Sequence, residues 1–496
     1  MADQLRPAEM IISSPELKTI VEYMGESQKR RFHVNARDFF IIEENEELDG
    51  KLILDFIKKH ESEQVPRLQE LLDYLENNNH GILERADRDR NLSDVRASHP
   101  FAAYITGFTV GYIAGEGIRV SSEDVSNQEI INKFNFDDLN SEILMDCSTY
   151  GKAYELVYRS EGIDNVVRLD PKQTFIIYDD SIEMQPVAGV RYWKNRKGEY
   201  VVKVYTSTQI RQFAQGADGS LVEGSPESHY YLEVPIIEYR NNRVGQGDFE
   251  KVLDIIDLYD FAQSDMANYS VDLNNALLVI LGDMKLDPND AANMRDKNIL
   301  ILEPAIDEFG HYSNTDAKYI YKQYDVAGTE AYKKRVEKDI HKFTNTPDMN
   351  DENFAGTQSG ESMKYKLFGM EQTRVIKQAL FAKSARKRYG LLFRINRMEI
   401  LNSPPSYMDD SLEFIFTPNT PKSFYEEVDA FIKLGGKLSQ ETILTLISLV
   451  KDPETEMKKI EKEETEAIKK AQEAFASGRQ FSDQSLNPNN QDTEGE

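Results

Sequence analysis

Three carboxylates lie close together in one short polar segment, Asp348, Asp351 and Glu352. Carboxylates at this spacing can hold Mg²⁺ for phosphodiester hydrolysis, which makes a metal-dependent nuclease one hypothesis. The segment around them is interrupted by Pro347 and Gly356, which is typical of a loop and not of a rigid strand that could fix metal ligands. The residues therefore favour a flexible acidic loop without catalysis, and we predict no bound metal.

The motifs of other common catalytic sites are missing from the sequence. It contains no Gly-x-x-x-x-Gly-Lys-Ser/Thr loop for ATP, no His-Glu-x-x-His zinc motif and no Gly-x-Ser-x-Gly nucleophile turn. Cys147 is the single cysteine, so a disulfide within the chain is excluded, which fits a reducing cytosol. We predict a protein that is not an enzyme and needs no cofactor.

The charge reverses sharply after the acidic loop. Between Lys364 and Arg397 the sequence has ten Lys or Arg residues and a single carboxylate, Glu371, although the whole chain of 496 residues carries a net charge of -27. We predict one long basic helix over 359–400. A basic helix in an acidic protein indicates a partner of opposite charge.

A second long helix is predicted over 248–281. Its apolar residues recur every three or four positions from Val252 to Ile280, while Asp254, Asp257, Asp265 and Asp272 are predicted on the opposite face. A helix of that length would measure roughly 45 to 50 Å. Gly282 is predicted to end it, and a shorter helix is predicted over 329–341.

The segment 152–238 changes to an alternating pattern that predicts a β-rich subdomain. Strands are expected at 154–158, 166–169, 174–178, 187–192, 200–205 and 230–234, with further short strands at 299–302, 319–321 and 412–416. Helices are expected at 64–76, 99–120 and 130–150. Gly107, Gly111 and Gly115 recur every four residues, so we expect another backbone to pack closely on that helix face.

Three pieces of the sequence resemble one protein family. They are Thr346-Pro347-Asp348 with Asn353-Phe354-Ala355-Gly356, the run Ser359-Gly360-Glu361-Ser362-Met363-Lys364-Tyr365-Lys366-Leu367, and the segment from Pro100 to Gly115. Together they resemble portal proteins of tailed bacteriophages, of the type found in siphophages of Gram-positive hosts. As an order of parts, the resemblance covers roughly residues 65–465.

The resemblance implies an α+β fold: an elongated portal-type subunit with a β-rich wing, long stem helices, a small α/β clip and a helical crown. The expected parts are a partly irregular N-terminal segment (1–64), wing (65–247), stem helix (248–282), clip (283–325), second stem helix (326–344), tunnel loop (345–358), long basic helix (359–400), return to the wing (401–421), helical crown (422–475) and disordered acidic tail (476–496). Within the crown, 422–434 and 440–451 are predicted helices.

The same resemblance implies a ring of about twelve subunits at one capsid vertex, through which double-stranded DNA is packaged and ejected. The tunnel-loop residues would be Asn345, Thr346, Pro347, Asp348, Met349, Asn350, Asp351, Glu352, Asn353 and Gly356. The clip would dock the terminase large subunit and later a head-tail connector, with Lys285, Asp287, Asp290, Arg295 and Asp296 as candidates. Major capsid and scaffolding proteins would be further partners, and the ring could nucleate head assembly. Assembly in the host cytoplasm is expected, and no membrane association.

Contacts between subunits are predicted to use the basic helix. Its candidates are Lys364, Lys366, Arg374, Lys377, Arg386 and Arg388, facing acids such as Asp254 and Asp257 of a neighbouring copy. The alternative is a solvated basic face within one subunit. Besides a nuclease, another structural adaptor of a large assembly, without a DNA tunnel, remains a further hypothesis.

Overall fold

The computed structural model describes residues 40–43, 46–88, 92–272, 277–281, 309–310, 316–320, 325–349, 367–401, 411–418, 444 and 456–470. The chain divides into two compact units. The first comprises residues 1–357 and 363–419 and contains every sheet described below. In the second unit, the structure describes Leu444, which is helical, and one helix over 456–470.

The strands and helices of the first unit follow one another in a mixed order. The strands are β1 (Phe40–Ile42), β2 (Ile118–Ser121), β3 (Lys152–Ser160), β4 (Ile163–Leu169), β5 (Thr174–Asp179), β6 (Pro186–Lys194), β7 (Tyr200–Tyr205), β8 (Gln209–Gln215), β9 (Leu221–Glu223), β10 (Glu227–Ser228), β11 (Ile236–Arg240), β12 (Leu277–Leu281), β13 (Asp316–Ile320) and β14 (Glu413–Phe416). The helices are α1 (Gly50–Lys59), α2 (Val65–Leu75), α3 (His80–Leu83), α4 (Phe101–Ala114), α5 (Val125–Ile131), α6 (Asp137–Tyr150), α7 (Leu253–Asp272), α8 (Val326–Thr344) and α9 (Phe368–Leu401).

The largest sheet has the strand order β1-β5-β6-β7-β8-β10, with β9 also paired to β8. Its pairs are antiparallel except β1 and β5, which run parallel with Phe40 opposite Ile177. The alternating apolar residues of β5 to β8 point to one face, where they pack with α1 and bury side chains such as Phe175 and Val202. Residues 40–42 and 50–59 thus belong to this sheet and to its covering helix.

A second sheet, in the order β11-β3-β4, lies next to α9 in the fold. The main core cluster is built on its apolar residues, on α6 and on α9, and includes Tyr239, Ile143 and Phe393. Another core cluster joins α2, α4, α7 and α8 through residues such as Tyr74 and Ile256. The small pairs β14-β2 and β12-β13 complete the sheets of the described residues.

The strand predictions are right for β3 to β7 and wrong at one place. The predicted strand 230–234 is not a strand, because Leu232 has φ 58°, a left-handed conformation that interrupts an extended chain. The strand begins after Pro235 and is β11. The sequence analysis also missed β8, whose mostly polar sequence hides its alternation.

The predicted helix over 248–281 is right for 253–272 and wrong at both ends. A short 3₁₀ turn (Glu250–Val252) precedes α7, which ends at Asp272, so that the helix of 20 residues measures about 30 Å. Leu277–Leu281 forms β12 and pairs with β13, with Leu277 opposite Ile320. A run of branched apolar residues fits either structure, and the available partner strand favours the extended one.

Two further helix predictions need correction. The predicted helix 130–150 is two helices, α5 and α6, which are separated by a turn. In that turn the side-chain oxygen of Asn135 accepts a hydrogen bond from the backbone N–H of Asp137, before α6 begins. The predicted close packing on the glycine face of α4 is also wrong for the described residues, since a Cβ added at Gly107 or Gly111 would meet no atom of theirs within 4 Å.

Several predictions fall outside the described residues. They are the strand at 299–302, the clip residues Lys285, Asp287, Asp290, Arg295 and Asp296, nearly all of the helices at 422–434 and 440–451, and the tail 476–496. Among the helices of the described part, none is both long and apolar enough to cross a membrane.

Candidate functional site: the α8–α9 loop and its supporting helices

Helix α8 ends at a tight cap from which the predicted loop begins. Asn345 adopts a left-handed conformation with φ 57° and donates its backbone N–H to the carbonyl of His341. The backbone N–H of Thr346 also donates to that carbonyl, at 3.1 Å. Asparagine tolerates the left-handed region better than most residues, so the sequence itself specifies where α8 stops.

The first residues of the loop are held against helix α4. The hydroxyl of Tyr104 donates to the carbonyl of Pro347 at 2.8 Å and accepts a long hydrogen bond, 3.5 Å, from the backbone N–H of Met349. Thr346 is buried, with only 2% of its surface exposed. Burial raises the pKa of Tyr104, and the nearby Asp348 carboxylate raises it further. The base of the loop is therefore held in place against α4.

The loop base also contacts the start of α9. The side-chain amide of Asn345 donates to the hydroxyl of Thr373 at 3.3 Å. Gly369, in the first turn of α9, allows this approach, since a Cβ there would lie 3.2 Å from the Asn345 side-chain oxygen. Helices α8 and α9 are thus tied together at the point where the loop leaves α8.

Of the predicted loop residues, the structure describes Asn345 to Met349. The others, Asn350, Asp351, Glu352, Asn353 and Gly356, lie outside the described residues. The structure brings Asp348 close to Glu337 and His341 of α8, and one ligand atom of each lies within 4.8 Å of the others. The sequence analysis missed this cluster. Its signal was the four-residue spacing of Glu337 and His341, which puts both on one helix face.

Lys377 of α9 is engaged inside its own chain. Its ammonium donates to both carboxylate oxygens of Asp248, at 2.7 and 2.8 Å, and to the side-chain oxygen of Asn241. Asp248 also accepts from Asn241 at 2.8 Å and from the Ser148 hydroxyl at 2.7 Å. This group joins α9 to the turn before α7 and to the end of α6.

Arg388 forms the most deeply buried ion pair of the described residues. Its guanidinium donates to Glu155 of β3 at distances of 2.5 to 3.0 Å and to the side-chain oxygen of Asn140 at 2.7 Å. The Tyr239 hydroxyl donates to the same carboxylate at 2.7 Å. Burial opposes the charge of Arg388, but the carboxylate of Glu155 more than offsets it and raises the pKa of the guanidinium.

Arg374 and Arg386 have local partners as well. Arg374 pairs with Glu371 one turn earlier on α9, and Glu371 also accepts from the Tyr112 hydroxyl at 2.9 Å. Arg386 is exposed on α9, donates to the carbonyl of Leu412 at 3.0 Å and lies over the ring of a nearby phenylalanine. Arg386 therefore fastens α9 to the segment before β14, whereas Arg374 orients Glu371 on the same helix.

The acids predicted on the face of α7 opposite its apolar stripe are not all exposed. Asp257 is buried and accepts a hydrogen bond from the Tyr74 hydroxyl at 2.6 Å. Asp260, which is fully buried, accepts from the Asn79 side chain at 2.5 Å and contacts His99 at 2.6 Å. Burial raises the pKa of Asp260, while His99 and Asn79 lower it in part.

The prediction of a subunit interface is accordingly corrected for three residues. Lys377, Arg388 and Asp257 are buried in their own subunit and bonded to groups of the same chain, so they cannot pair with a neighbouring copy. The alternative of a solvated basic face is wrong for Lys377 and Arg388 for the same reason. Asp254 and Arg386 are exposed, and Lys364 and Lys366 lie outside the described residues.

Comparison with known protein families identifies the family of this chain. The family described as phage portal protein, SPP1 Gp6-like, matches residues 54–470, which include α7, α8, the loop and α9. The chain belongs to this family of portal proteins. Portal proteins of this family are structural components of phage virions and assemble as rings. The portal resemblance inferred from the sequence is thereby confirmed.

Two phage portal proteins are similar to this portal chain in sequence. The portal protein of Bacillus phage SPP1 is 22% identical over 401 residues, covering 76% of this chain and 77% of the relative. The portal protein of Clostridium phage phiCD119 is 25% identical over 265 residues, covering 46% of this chain and 58% of the relative. Both relatives come from phages of Gram-positive genera.

Solved structures of gene transfer agent particles are also similar to this portal chain. One, described as the virion of a native gene transfer agent particle, has 12% identity and a TM-score of 0.42, and covers 76% of this chain and 92% of its own. Another, the neck of an empty particle, has 12% identity and a TM-score of 0.43, with coverage of 76% and 93%.

Proposed function

We propose that copies of this chain form a closed ring, of about twelve subunits, at one vertex of the capsid, and that double-stranded DNA passes through its centre during packaging and ejection. The observation that carries the proposal is the match to the portal family over 54–470, which spans the complete helix-loop-helix region. In the ring, the α8–α9 loop would face the DNA. Its base is fixed by Tyr104, while the residues beyond Met349 would follow the moving duplex.

The negative charge of the chain suits a channel through which DNA slides better than a site that binds DNA tightly. DNA-binding proteins hold phosphates with Lys and Arg, whereas this chain has a net charge of -27 and no Lys or Arg between Asn345 and Ser362. Carboxylates of Asp348, Asp351 and Glu352, repeated around the ring, would repel the phosphates. At a few ångströms in water each such repulsion amounts to only about 1 kcal/mol, so DNA would slide instead of stopping.

Neighbouring subunits would meet in part through exposed charges of the long helices. Asp254 on α7 and Arg386 on α9 are exposed and remain candidates, together with Lys364 and Lys366. Charged pairs at an interface fix the register of the subunits more than they add stability. The buried pairs of α9 would serve this assembly indirectly, because they hold the helix in one position against the wing.

The other partners are proposed from the portal role. The terminase large subunit would dock on the clip during packaging and a head-tail connector would dock there later, with Lys285, Asp287, Asp290, Arg295 and Asp296 as contact candidates. Major capsid and scaffolding proteins would surround the ring in the head, and the ring could nucleate head assembly in the host cytoplasm. We propose a structural role, with the packaging force supplied by the terminase.

Imaging of the purified protein tests the proposal most directly. Negative-stain micrographs should show rings with a central hole wide enough for a duplex, about 20 Å or more. A solitary monomer, or an assembly without a central hole, would overturn the proposal of a ring. Incubation with linear DNA and Mg²⁺ should leave the DNA intact; cleavage that Asp348→Ala abolishes would instead establish a nuclease.

A substitution in the loop tests its place in the channel. Glu352→Lys replaces repulsion by attraction and should slow or stall DNA packaging, measured as DNA content of heads over time. Glu183→Lys makes the same change of charge at an exposed position between β5 and β6 and should package normally. Equal packaging by both variants would place the loop away from the DNA.

A further inference from the structure

We propose that Glu337, His341 and Asp348 form a binding site for a divalent transition metal, of the Zn²⁺ class, at the base of the α8–α9 loop. One ligand atom from each of the three residues lies within 4.8 Å of the others, and all three side chains are partly buried. Around a tetrahedral ion such atoms are about 3.4 Å apart, so ion binding would draw the three atoms together from separations of at most 4.8 Å.

The hydrogen bonding of His341 prepares its ring for a metal. The ring atom Nδ1 lies 3.1 Å from the carbonyl oxygen of Thr346. A carbonyl oxygen only accepts, so Nδ1 carries a proton, and in the neutral ring Nε2 is then the atom with the lone pair for a metal. A ring N–H donated to a backbone carbonyl is the arrangement that orients histidine ligands in metal sites.

Packing fixes the same ring in place. Tyr104 meets it edge-on with a centroid distance of 5.6 Å, and Phe101 lies at 6.4 Å in a similar arrangement. The Tyr104 hydroxyl donates to the carbonyl of Pro347, next to the third ligand residue, Asp348. Helix α8 thus sets the positions of Glu337 and His341, and the base of the loop holds Asp348 near them.

The mixture of ligands decides the class of ion. One imidazole and two carboxylates suit zinc and its first-row neighbours, whereas Mg²⁺ and Ca²⁺ prefer oxygen ligands throughout. The bound ion would join two residues of α8 to a residue beyond its C-terminal cap. It would therefore hold residues 346–349 on α8.

Metal content of the purified full-length chain tests the site without any assay of DNA transport. After equilibration with Zn²⁺ and dialysis we expect about one tightly held zinc ion per chain. Asp348→Asn and Glu337→Gln should each weaken binding about tenfold or more. Asp339→Asn is the matched control, because this carboxylate lies on the same helix and pairs with Arg335, and it should bind zinc like the native chain.

A second measurement guards against variants that merely misfold. Hydrogen exchange of the backbone amides of 345–349 should slow on adding Zn²⁺ in the native chain and stay unchanged in Asp348→Asn, whose fold is checked by the unchanged exchange of β3. The proposal is overturned if the native chain retains no zinc, if the variants retain as much as the native chain, or if excess Mg²⁺ displaces the ion. None of these results bears on whether rings form.

Discussion

Removal of the buried Arg388 charge should destabilise the contact between α9 and the β11-β3-β4 sheet more than any exposed charge could. The side chains of Arg388 and Glu155 are 1% and 0% exposed. At an effective dielectric constant of about 20, opposite unit charges about 3 Å apart attract by about 5 kcal/mol. Arg388→Met leaves the carboxylate buried without that attraction, which costs about 3–5 kcal/mol.

A second substitution should restore part of this loss. Glu155→Gln keeps an acceptor for the Tyr239 hydroxyl, which lies 2.7 Å from the carboxylate, but removes the stranded charge. The double variant, Arg388→Met with Glu155→Gln, should therefore be more stable than Arg388→Met alone by about 2 kcal/mol. Such a gain from adding a substitution is specific to a charge pair, because unrelated losses would add.

Hydrogen exchange measured by mass spectrometry localises the effect. Amides of β3 should exchange about 100 to 5,000 times faster in Arg388→Met than in the native chain, and substantially more slowly again in the double variant. Arg335→Met is the control, since Arg335 is 77% exposed and pairs with Asp339 on the same helix. Its effect should stay within about 0.5 kcal/mol. Native-like exchange in Arg388→Met, or a double variant no better than the single one, would refute the reasoning.

Three other predictions concern His60, Gly151 and the base of the α8–α9 loop. Burial lowers the pKa of His60 from 6.5 to about 3, so at acid pH the unfolded state binds a proton that the folded state does not. The His60 contribution to stability should therefore be full above pH 6.5 and fall by up to about 1.4 kcal/mol per pH unit as the pH drops toward 3. His60→Gln should lack this contribution, which a comparison of acid unfolding curves with the native chain measures. Gly151→Ala should unfold at clearly lower urea concentration than Gly162→Ala. Both glycines have φ above 80°, but only a Cβ at position 151 would clash with a backbone carbonyl oxygen, at 2.1 Å. Equal urea midpoints of the two variants would contradict this. Tyr104→Phe should speed proteolysis of the loop several-fold by deleting the hydrogen bond to Pro347, worth about 1 kcal/mol, and an unchanged rate would show that the loop is held elsewhere.

The local patterns of the sequence determined much of the β-rich part of the chain and of the helix-loop-helix region. Alternating apolar residues predicted β3 to β7, and the periodicity predicted a helix at 329–341, which the structure extends to Val326–Thr344. These predictions succeeded because side-chain direction along a strand or helix follows directly from backbone geometry. Short motifs, above all the one from Thr346 onward, indicated the portal family, which the match over 54–470 confirmed.

The tertiary structure alone decided which charges meet. The basic composition of α9 indicated that this helix contacts groups of opposite charge. The partner of Arg388 is Glu155, which is 233 residues away in the sequence. Nothing local in the sequence distinguishes that carboxylate from many others. The interface prediction for Arg388, Lys377 and Asp257 was wrong for this reason. Coulomb attraction acts on distance in space, and only the folded chain sets those distances.

The same holds for the apolar run from Leu277 to Leu281 and for the cluster at the loop base. A short branched run becomes a strand when a partner such as β13 lies beside it, and otherwise continues a helix. Glu337 and His341 share a helix face by their spacing, but the left-handed turn at Asn345 is what brings Asp348 back to them. The sequence thus set the elements and the family, whereas long-range packing chose the partners, because contact energies depend on neighbours that a local pattern does not name.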